Sequence, residues 1–415
     1  MSKYQELKPL LATIISSVDP TLEKLFNQSL RSQLALHLNT STHSELASTL
    51  RTSLNDLTQA LLNTPDSEHQ AWVDLFGDAS EALLAIYKDL ALSESERHTS
   101  YINATGQVMS VDDAIHTLKD IYRVKAFIRG LQQAIMMRIG NNSTQQIHLV
   151  YPACGPLAPL LLPLLSYCAG KGITAEQLTI TLIDIQPGAV KMLNRLVDDL
   201  AVRDYIKAIL CMDVMDYQPD CSIDILVMEA FQHGLSHEGH MSFARHLSQF
   251  MAKDAVMLPE QVTIKAVLAK GQREYNDQWQ QQPRCHSTLV NLLIQADRIE
   301  LGNVFTLTLD KLRTMPVLPL GDGFEIIECE QIKIPAGVVD IAQRILLMTA
   351  SVTVFGEEKI EQYDSGITHP RSDMSICIDF TPKVPEPDDL LVKSGDHIKF
   401  YYKLCGTPGF LPTLA

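Results

Sequence analysis

The chain has no Cys-x-x-Cys pair. Its eight cysteines, at 154, 168, 211, 221, 285, 329, 377 and 405, offer neither a zinc-site spacing nor a disulfide framework. Basic residues are scarce, 34 against 49 acidic ones for a formal charge of −15. A phosphate backbone needs a basic footprint, so nucleic acid is not expected as a partner. That balance is compatible with a cationic substrate and also with plain solubility. Long apolar runs are missing too: the most apolar stretch, LAPLLLPLLSYCAG, is short and proline-broken, so no membrane partner is expected. The opening MSKYQELKPLLATIISSVDP carries acid and proline and does not read as a signal peptide. The expected setting is a reducing cytoplasm. No G-x-G-x-x-G, internal repeat or low-complexity tract is present.

What is present is a 415-residue chain, 46% hydrophobic and 20% charged, long enough for two or three domains. From Leu7 to about Leu92 apolar residues recur at three and four, as in LEKLFNQSLRSQLALHL and FGDASEALLAIYKDLAL, which predicts a helical region. A second helical stretch, VDDAIHTLKDIYRVKAFIRGLQQAIMMRIG, ends at Gly140. Then QIHLVYPACG, LTITLIDIQP, IKAILCMDV and SIDILVMEAF read as short strands, three of them separated by helical patterns such as APLLLPLLSYCAG and PGAVKMLNRLVDDLAV. Strands alternating with helices predict βαβ units and a parallel sheet. After LPEQVTIKAVL the chain turns to strand-like pieces, VFTLTLD, GFEIIECEQIKI, ASVTVFG, SICIDF and HIKFYYKL. The expectation is α/β: a helical domain over 1–95, a Rossmann-like domain over 96–259, and a mostly β domain over 260–415.

Ligands of open parallel sheets bind beyond the carboxyl ends of the strands. The first strand ends in Cys154-Gly155, where a tight turn would bring a helix N-terminus to the ligand. The second ends in Asp184, placed to accept two ribose hydroxyls, or simply to cap the helix opened by Pro187. The third leads to Asp213, which would read an adenine edge or merely sit in a loop. Without G-x-G-x-x-G, a nucleoside lacking phosphates, such as S-adenosylmethionine, suits these acids better than a nicotinamide dinucleotide does. Past the fourth strand, VMEAFQHGLSHEGH sets Glu229 and Glu238 on one loop with Gly234 between them. Two carboxylates held together ask for a cation.

Taken together, these residues resemble the catalytic core of the protein arginine methyltransferases, a class I S-adenosylmethionine-dependent family, over about Ser100 to Pro259. LKDIYRVKAFIRGLQQAI resembles the family's D-x-x-R helix, ACG its glycine turn, Asp184 its ribose-binding acid, and the Glu229–Glu238 spacing its double-glutamate hairpin. MLPEQVTI resembles the strand leading into the family's β-barrel, and Thr368-His369-Pro370 stands where the family has Thr-His-Trp. The resemblance implies S-adenosyl-L-methionine held by Arg123 (at its carboxylate), Cys154, Gly155, Asp184 and Asp213. Glu229, Glu238 and His369 would be catalytic, with Tyr101, Glu229 and Glu238 touching substrate and no metal bound. A guanidinium offers paired donors that match carboxylates in fork geometry, so the implied acceptor is a small guanidine such as free L-arginine, or an arginine-containing peptide. The family pairs through a helical arm in its barrel domain, which STLVNLLIQADRIEL would supply in a homodimer. The chain departs from the family at Tyr151-Pro152, at Leu157 and at Pro370. Two other readings stand beside this one: a metal hydrolase using His233, His237, His240 and His369 with Glu238, and a non-catalytic scaffold.

Overall fold

The computed structural model describes residues 20–63, 69–141, 146–275, 295–321, 323–379 and 383–415. Residues 1–19 of the expected helical domain and 287–294 of the expected arm lie outside them. Helix α1 (Pro20–Asn63) and helix α2 (His69–Asp89) pack as a hairpin. Leu50, Leu54, Leu57 and Leu61 bury one stripe of α1, and Trp72, Phe76, Ala79, Leu83 and Ile86 one stripe of α2. This is the three-and-four spacing that keeps apolar side chains on one helical face, and each fully buried leucine contributes about 1.5–3 kcal/mol.

The long helix expected over 111–140 is broken at Asp120. A turn of helix at Val111–Ala114 and a 3-10 segment at Ile115–Lys119 precede helix α3 (Ile121–Asn141). Asp120 leaves the helical region (φ −88°, ψ 80°) and accepts the Arg123 backbone N–H on Oδ1 at 3.3 Å. A carboxylate that caps amide groups starts a helix rather than continuing one. The α1–α2 hairpin seats on the next layer: Thr58 donates to the Pro163 carbonyl at 2.9 Å, Arg129 Nε donates to the Leu61 carbonyl at 2.6 Å, and the Lys125 ammonium lies 5.0 Å from the Trp72 ring centre.

Five strands form the central sheet: β1 (Ile147–Pro152), β2 (Leu178–Asp184), β3 (Ile206–Cys211), β4 (Ile223–Val227) and β5 (Met251–Leu258). All pair in parallel, in the order β3-β2-β1-β4-β5. Every residue of β1 and β4 is buried, as strands covered on both faces require. This is a Rossmann-like sheet whose order reverses between β1 and β4, the place where such folds bind ligands.

Helices α4 (Leu162–Gly170), α5 (Pro187–Asp199) and α6 (His240–Ser248) connect the strands. Helix α4 begins later than the sequence pattern suggests, so no helix N-terminus sits at Gly155. Pro156 and Pro159 disfavour helical backbone in the residues before them, and Gly155 and Ala158 both take positive φ (65° and 38°).

The C-terminal region is mostly antiparallel, with one short parallel pair, Ile376–Ile378 beside Leu390–Val392. Strands β6 (Gln261–Ala269), β7 (Ile299–Thr308), β10 (Ile345–Phe355) and β11 (Glu358–Ile360) form one sheet with Arg371–Ser372. Strands β8 (Leu318–Gly321), β9 (Phe324–Lys333), β12 (His397–Lys403) and β13 (Gly409–Leu414) form another. Among the described residues no ladder joins these two sheets into the closed barrel that was expected. Residues Ile299–Leu301, assigned by pattern to the helical arm, belong to β7. No helix of the described residues is long and apolar enough to cross a membrane.

Candidate functional site

Because β1 and β4 are neighbours, the turn after β1 and the loop after β4 face each other. After β1, Ala153 and Gly155 take φ of 47° and 65°. Gly155 suits that left-handed conformation at no steric cost. Its N–H donates to Asp184 Oδ2 at 2.9 Å, and the Gln186 N–H donates to Asp184 Oδ1 at 2.8 Å. Burial pushes the Asp184 carboxyl up to about 6, with the two amides pulling the other way, so it is ionised at neutral pH. Cys154 is buried, and burial raises its thiol well above the ordinary value; it is wall, not nucleophile. Asp213 caps the 3-10 turn Val214–Asp216, accepting the Met215 N–H at 2.9 Å and Asn103 Nδ2 at 3.2 Å.

The loop after β4 is closed at its base by His240. The Ala230 N–H donates to its Nδ1 at 3.5 Å, and its own N–H donates to the Ala230 carbonyl at 3.1 Å. Burial pushes this imidazole down to about 3, so it packs neutral against Phe231, ring centres 4.8 Å apart. Gly234, Leu235 and His237 all take positive φ, folding the loop back so that Glu229 and Glu238 share one cavity. Neighbours hold the fold-back: Gln107 N–H donates to the His237 carbonyl at 2.8 Å, His237 N–H to the Pro408 carbonyl at 2.9 Å, and the Tyr402 hydroxyl to the Leu235 carbonyl at 2.5 Å. Gly106 presses so close that a Cβ there would meet the Glu238 carbonyl carbon at 2.8 Å.

Arg123 ties the loop after β4 to the break before α3. Its Nη1 donates to Glu229 Oε2 at 2.9 Å and its Nη2 reaches Asp120 Oδ2 at 3.1 Å, while its buried Nε has no partner. Burial works against the guanidinium charge, but Glu229 and Asp120 hold its pKa above the ordinary value. Asp120 Oδ2 also accepts from the Ser365 hydroxyl at 2.6 Å and the Gly366 N–H at 3.2 Å. One carboxylate thus caps α3, pairs with Arg123 and anchors the C-terminal region. Among the described residues Glu238 has no such cation. Burial and the neighbouring Glu229 charge push its carboxyl up to about 7, opposed by a hydrogen bond from the Gln232 side chain and by Arg123.

The cavity measures about 370 Å³, within the range of small-molecule sites. Arg123, Cys154, Gly155, Asp184, Asp213, Glu229 and Glu238 all line it. Tyr101 and His369 are not among the lining residues. Tyr101 is 41% exposed, and its hydroxyl is raised by partial burial and by the Asp213 and Asp184 charges. His369 stands edge-on to Tyr363 at 5.0 Å and to His233 at 6.4 Å between ring centres. Among the described residues His233, His237, His240 and His369 gather into no three-ligand cluster; the single such group, Glu386, Asp388 and Asp389, lies elsewhere and is largely exposed.

No sequence-family model matches the chain, and no curated protein matches it. Solved structures similar to it include the PRMT1 enzyme–prozyme heterotetrameric complex with AdoHcy from Trypanosoma brucei, at 16% identity and TM-score 0.40 over 70% of this chain and 86% of that one. Arabidopsis thaliana protein arginine methyltransferase 10 matches at 10% identity and TM-score 0.41, over 72% of this chain and 95% of that one.

Three contributors were given no role from the sequence. Asp120 stood in the D-x-x-R motif, and an acid three residues before Arg123 is N-cap spacing. Gly106-Gln107 and Gly366-Ile367, which brace or line the cavity, carried none, because their role comes from contacts distant in sequence. The cavity's chemistry is polarised. One end offers the carboxylate acceptors Asp184 and Asp213, and the other offers two carboxylates of which one is already matched by a cation.

Proposed function

We propose that the chain transfers a methyl group from S-adenosyl-L-methionine to a guanidino nitrogen of arginine, with free L-arginine favoured over peptidyl arginine. The observation that carries this reading is the one cavity lined by Glu229, Glu238, Asp184, Asp213 and Arg123. The donor set fits the cofactor. Ionised Asp184 would accept ribose hydroxyls, Asp213 would accept from the adenine edge, and Arg123, whose buried Nε has no partner, would face the methionine carboxylate. The cofactor supplies a methyl group on a sulfonium cation.

The chain's own residues would then manage charge and position. Arg123 Nη1 donates to Glu229 Oε2 and the Phe231 backbone N–H also bonds this carboxylate; a substrate guanidinium would take its remaining acceptor capacity, with Glu238 meeting it from the other side. Two anions offset the approach of one cation to another, worth about 4 kcal/mol per unit pair at ~4 Å with an effective dielectric near ~20. Held between them, one terminal nitrogen is aimed rather than free to rotate, which is catalysis chiefly by positioning. His369 is better read as packing beside the site than as a catalytic group. Supporting free arginine are Pro370, in place of the family's tryptophan, and the additional α1–α2 hairpin.

The test is purified protein with methyl-labelled cofactor, offered L-arginine and an arginine-rich peptide in parallel. Label in arginine supports the reading; no label in either guanidine removes it. Pairing of two copies belongs to the same reading, and sedimentation showing a monomer at all concentrations would remove that part.

A further inference from the structure

We propose that Arg371 binds a carboxylate carried by the guanidine substrate itself, so that the preferred methyl acceptor is an arginine with its own carboxylate free. This rests on the methyl-transfer reading and goes beyond it by assigning the residue that selects the substrate.

Next to Glu238 the loop carries imidazoles, one of which meets an arginine. His233 lines the cavity and hydrogen-bonds the His369 backbone. His237 directly precedes Glu238, and its Nε2 lies 3.0 Å from Arg371 Nη1. A guanidinium only donates, so Nε2 is the acceptor and the His237 proton sits on Nδ1. Burial, and then the Arg371 charge, push His237 below the ordinary value; burial, His369 and Arg371 do the same to His233. The histidines are therefore neutral at physiological pH, and the fixed positive charge here is that of Arg371. This side chain is exposed, and among the described residues it has no carboxylate partner, unlike Arg123, Arg138, Arg298 and Arg344.

The arrangement is a dipole, with two acids lining the cavity and one exposed cation, Arg371, held against His237, the residue before Glu238. Free arginine has the complementary dipole. With its guanidinium between Glu229 and Glu238, its α-carboxylate lies at the outer end of the methylene chain. A planar guanidinium with unused N–H groups is the side chain best suited to take that carboxylate in a fork. An arginine inside a basic peptide has no carboxylate there and brings further cations toward Arg371, so the same residue attracts one acceptor and repels the other.

A free amino acid and a peptide ending in arginine share the chemistry recognised, and the experiment separates them. kcat/KM is measured with labelled cofactor for L-arginine, for agmatine (which lacks the carboxylate), for a peptide with arginine at its C-terminus and for one with arginine inside. Wild type should favour L-arginine over agmatine by about 10- to 100-fold, mostly in KM, the size of a charge-assisted pair. Turnover of the C-terminal peptide relative to free arginine assigns the source of the carboxylate. In Arg371→Ala the arginine-to-agmatine ratio should collapse toward one, with Arg371→Lys in between, whereas a merely structural role would lower both substrates together and keep the ratio. Agmatine or the internal peptide matching arginine in wild type, or an unchanged ratio in Arg371→Ala, overturns the assignment and leaves methyl transfer standing. Failure of all four acceptors overturns methyl transfer itself.

Discussion

Glu229→Gln and Glu238→Gln remove the same charge from the same cavity, yet the structure implies different effects on the free protein. Glu229 is one half of a buried ion pair with Arg123, side chains 7% and 13% exposed. Breaking one partner of such a pair leaves an uncompensated buried charge, and with Asp120 still bonded to the other amino group the cost should be about 2–4 kcal/mol. Glu238 lacks a cation, and its rise from 4.5 to about 7 corresponds to about 3 kcal/mol against ionising it. Because the folded pKa exceeds the unfolded one, the folded chain keeps a proton that the unfolded chain releases. This contribution to stability is full below pH 4.5 and lost as pH rises through about 7. Thermal melts at pH 8 should therefore show Glu229→Gln lowered, and Glu238→Gln equal to wild type or raised. Turnover should respond alike: each variant loses about two to four orders of magnitude in kcat/KM for arginine, and the double variant is little worse than the poorer single one. In wild type kcat/KM should climb with pH to a plateau above about 7, since kcat/KM reports the free enzyme's essential groups; in Glu238→Gln this limb should disappear. A Glu238→Gln variant that keeps the limb, or near-full turnover, would refute the clamp.

Gly106→Ala inserts a Cβ into the backbone of His237, Glu238 and Gly239 at 2.8–2.9 Å, so the loop must shift; activity should fall far more than Tm, and near-wild-type kcat would show that this contact does not position Glu238. Asp184→Asn should weaken S-adenosylmethionine binding by about 2 kcal/mol in calorimetry, the order of a lost charge-assisted pair; unchanged affinity removes the ribose assignment. Exhaustive chelation should alter neither activity nor melting temperature, and a metal at one per chain lost together with activity would restore the hydrolase reading.

Apart from β5, whose middle carries Lys253 and Asp254, the parallel strands were legible as short, mostly apolar runs, three of them separated by helical patterns, a signal carried by each segment alone. The breaks were less so. Asp120 interrupts a run whose apolar periodicity continues on both sides, and its effect comes from a side chain capturing an amide, a local event that periodicity averages away. The late start of α4 was written in Pro156 and Pro159, but leucine content outweighed them in the pattern. Whether strands close into a barrel depends on which edges pair, and nothing in the strand sequences of β6 to β13 encodes that partner choice locally.

The site divides in the same way. Spacing alone placed Glu229 and Glu238 on one loop, and strand ends placed Gly155, Asp184 and Asp213 at one edge, so these residues meet in the cavity as a consequence of topology. Tyr101 and His369 were chosen by their position in a motif rather than by a physical constraint, and both lie outside the lining. The charge balance was the least legible part. Sequence presents two equivalent acids and one arginine, and only the fold decides that Arg123 spends its charge on Glu229 and Asp120. Burial pushes both carboxyls up, but at Glu229 Arg123 opposes it at hydrogen-bond distance, while at Glu238 the Glu229 charge adds to it, so Glu238 is the acid whose charge a substrate cation would most draw out. The paired glutamate holds its shape without substrate; the unpaired one makes the cavity respond to it.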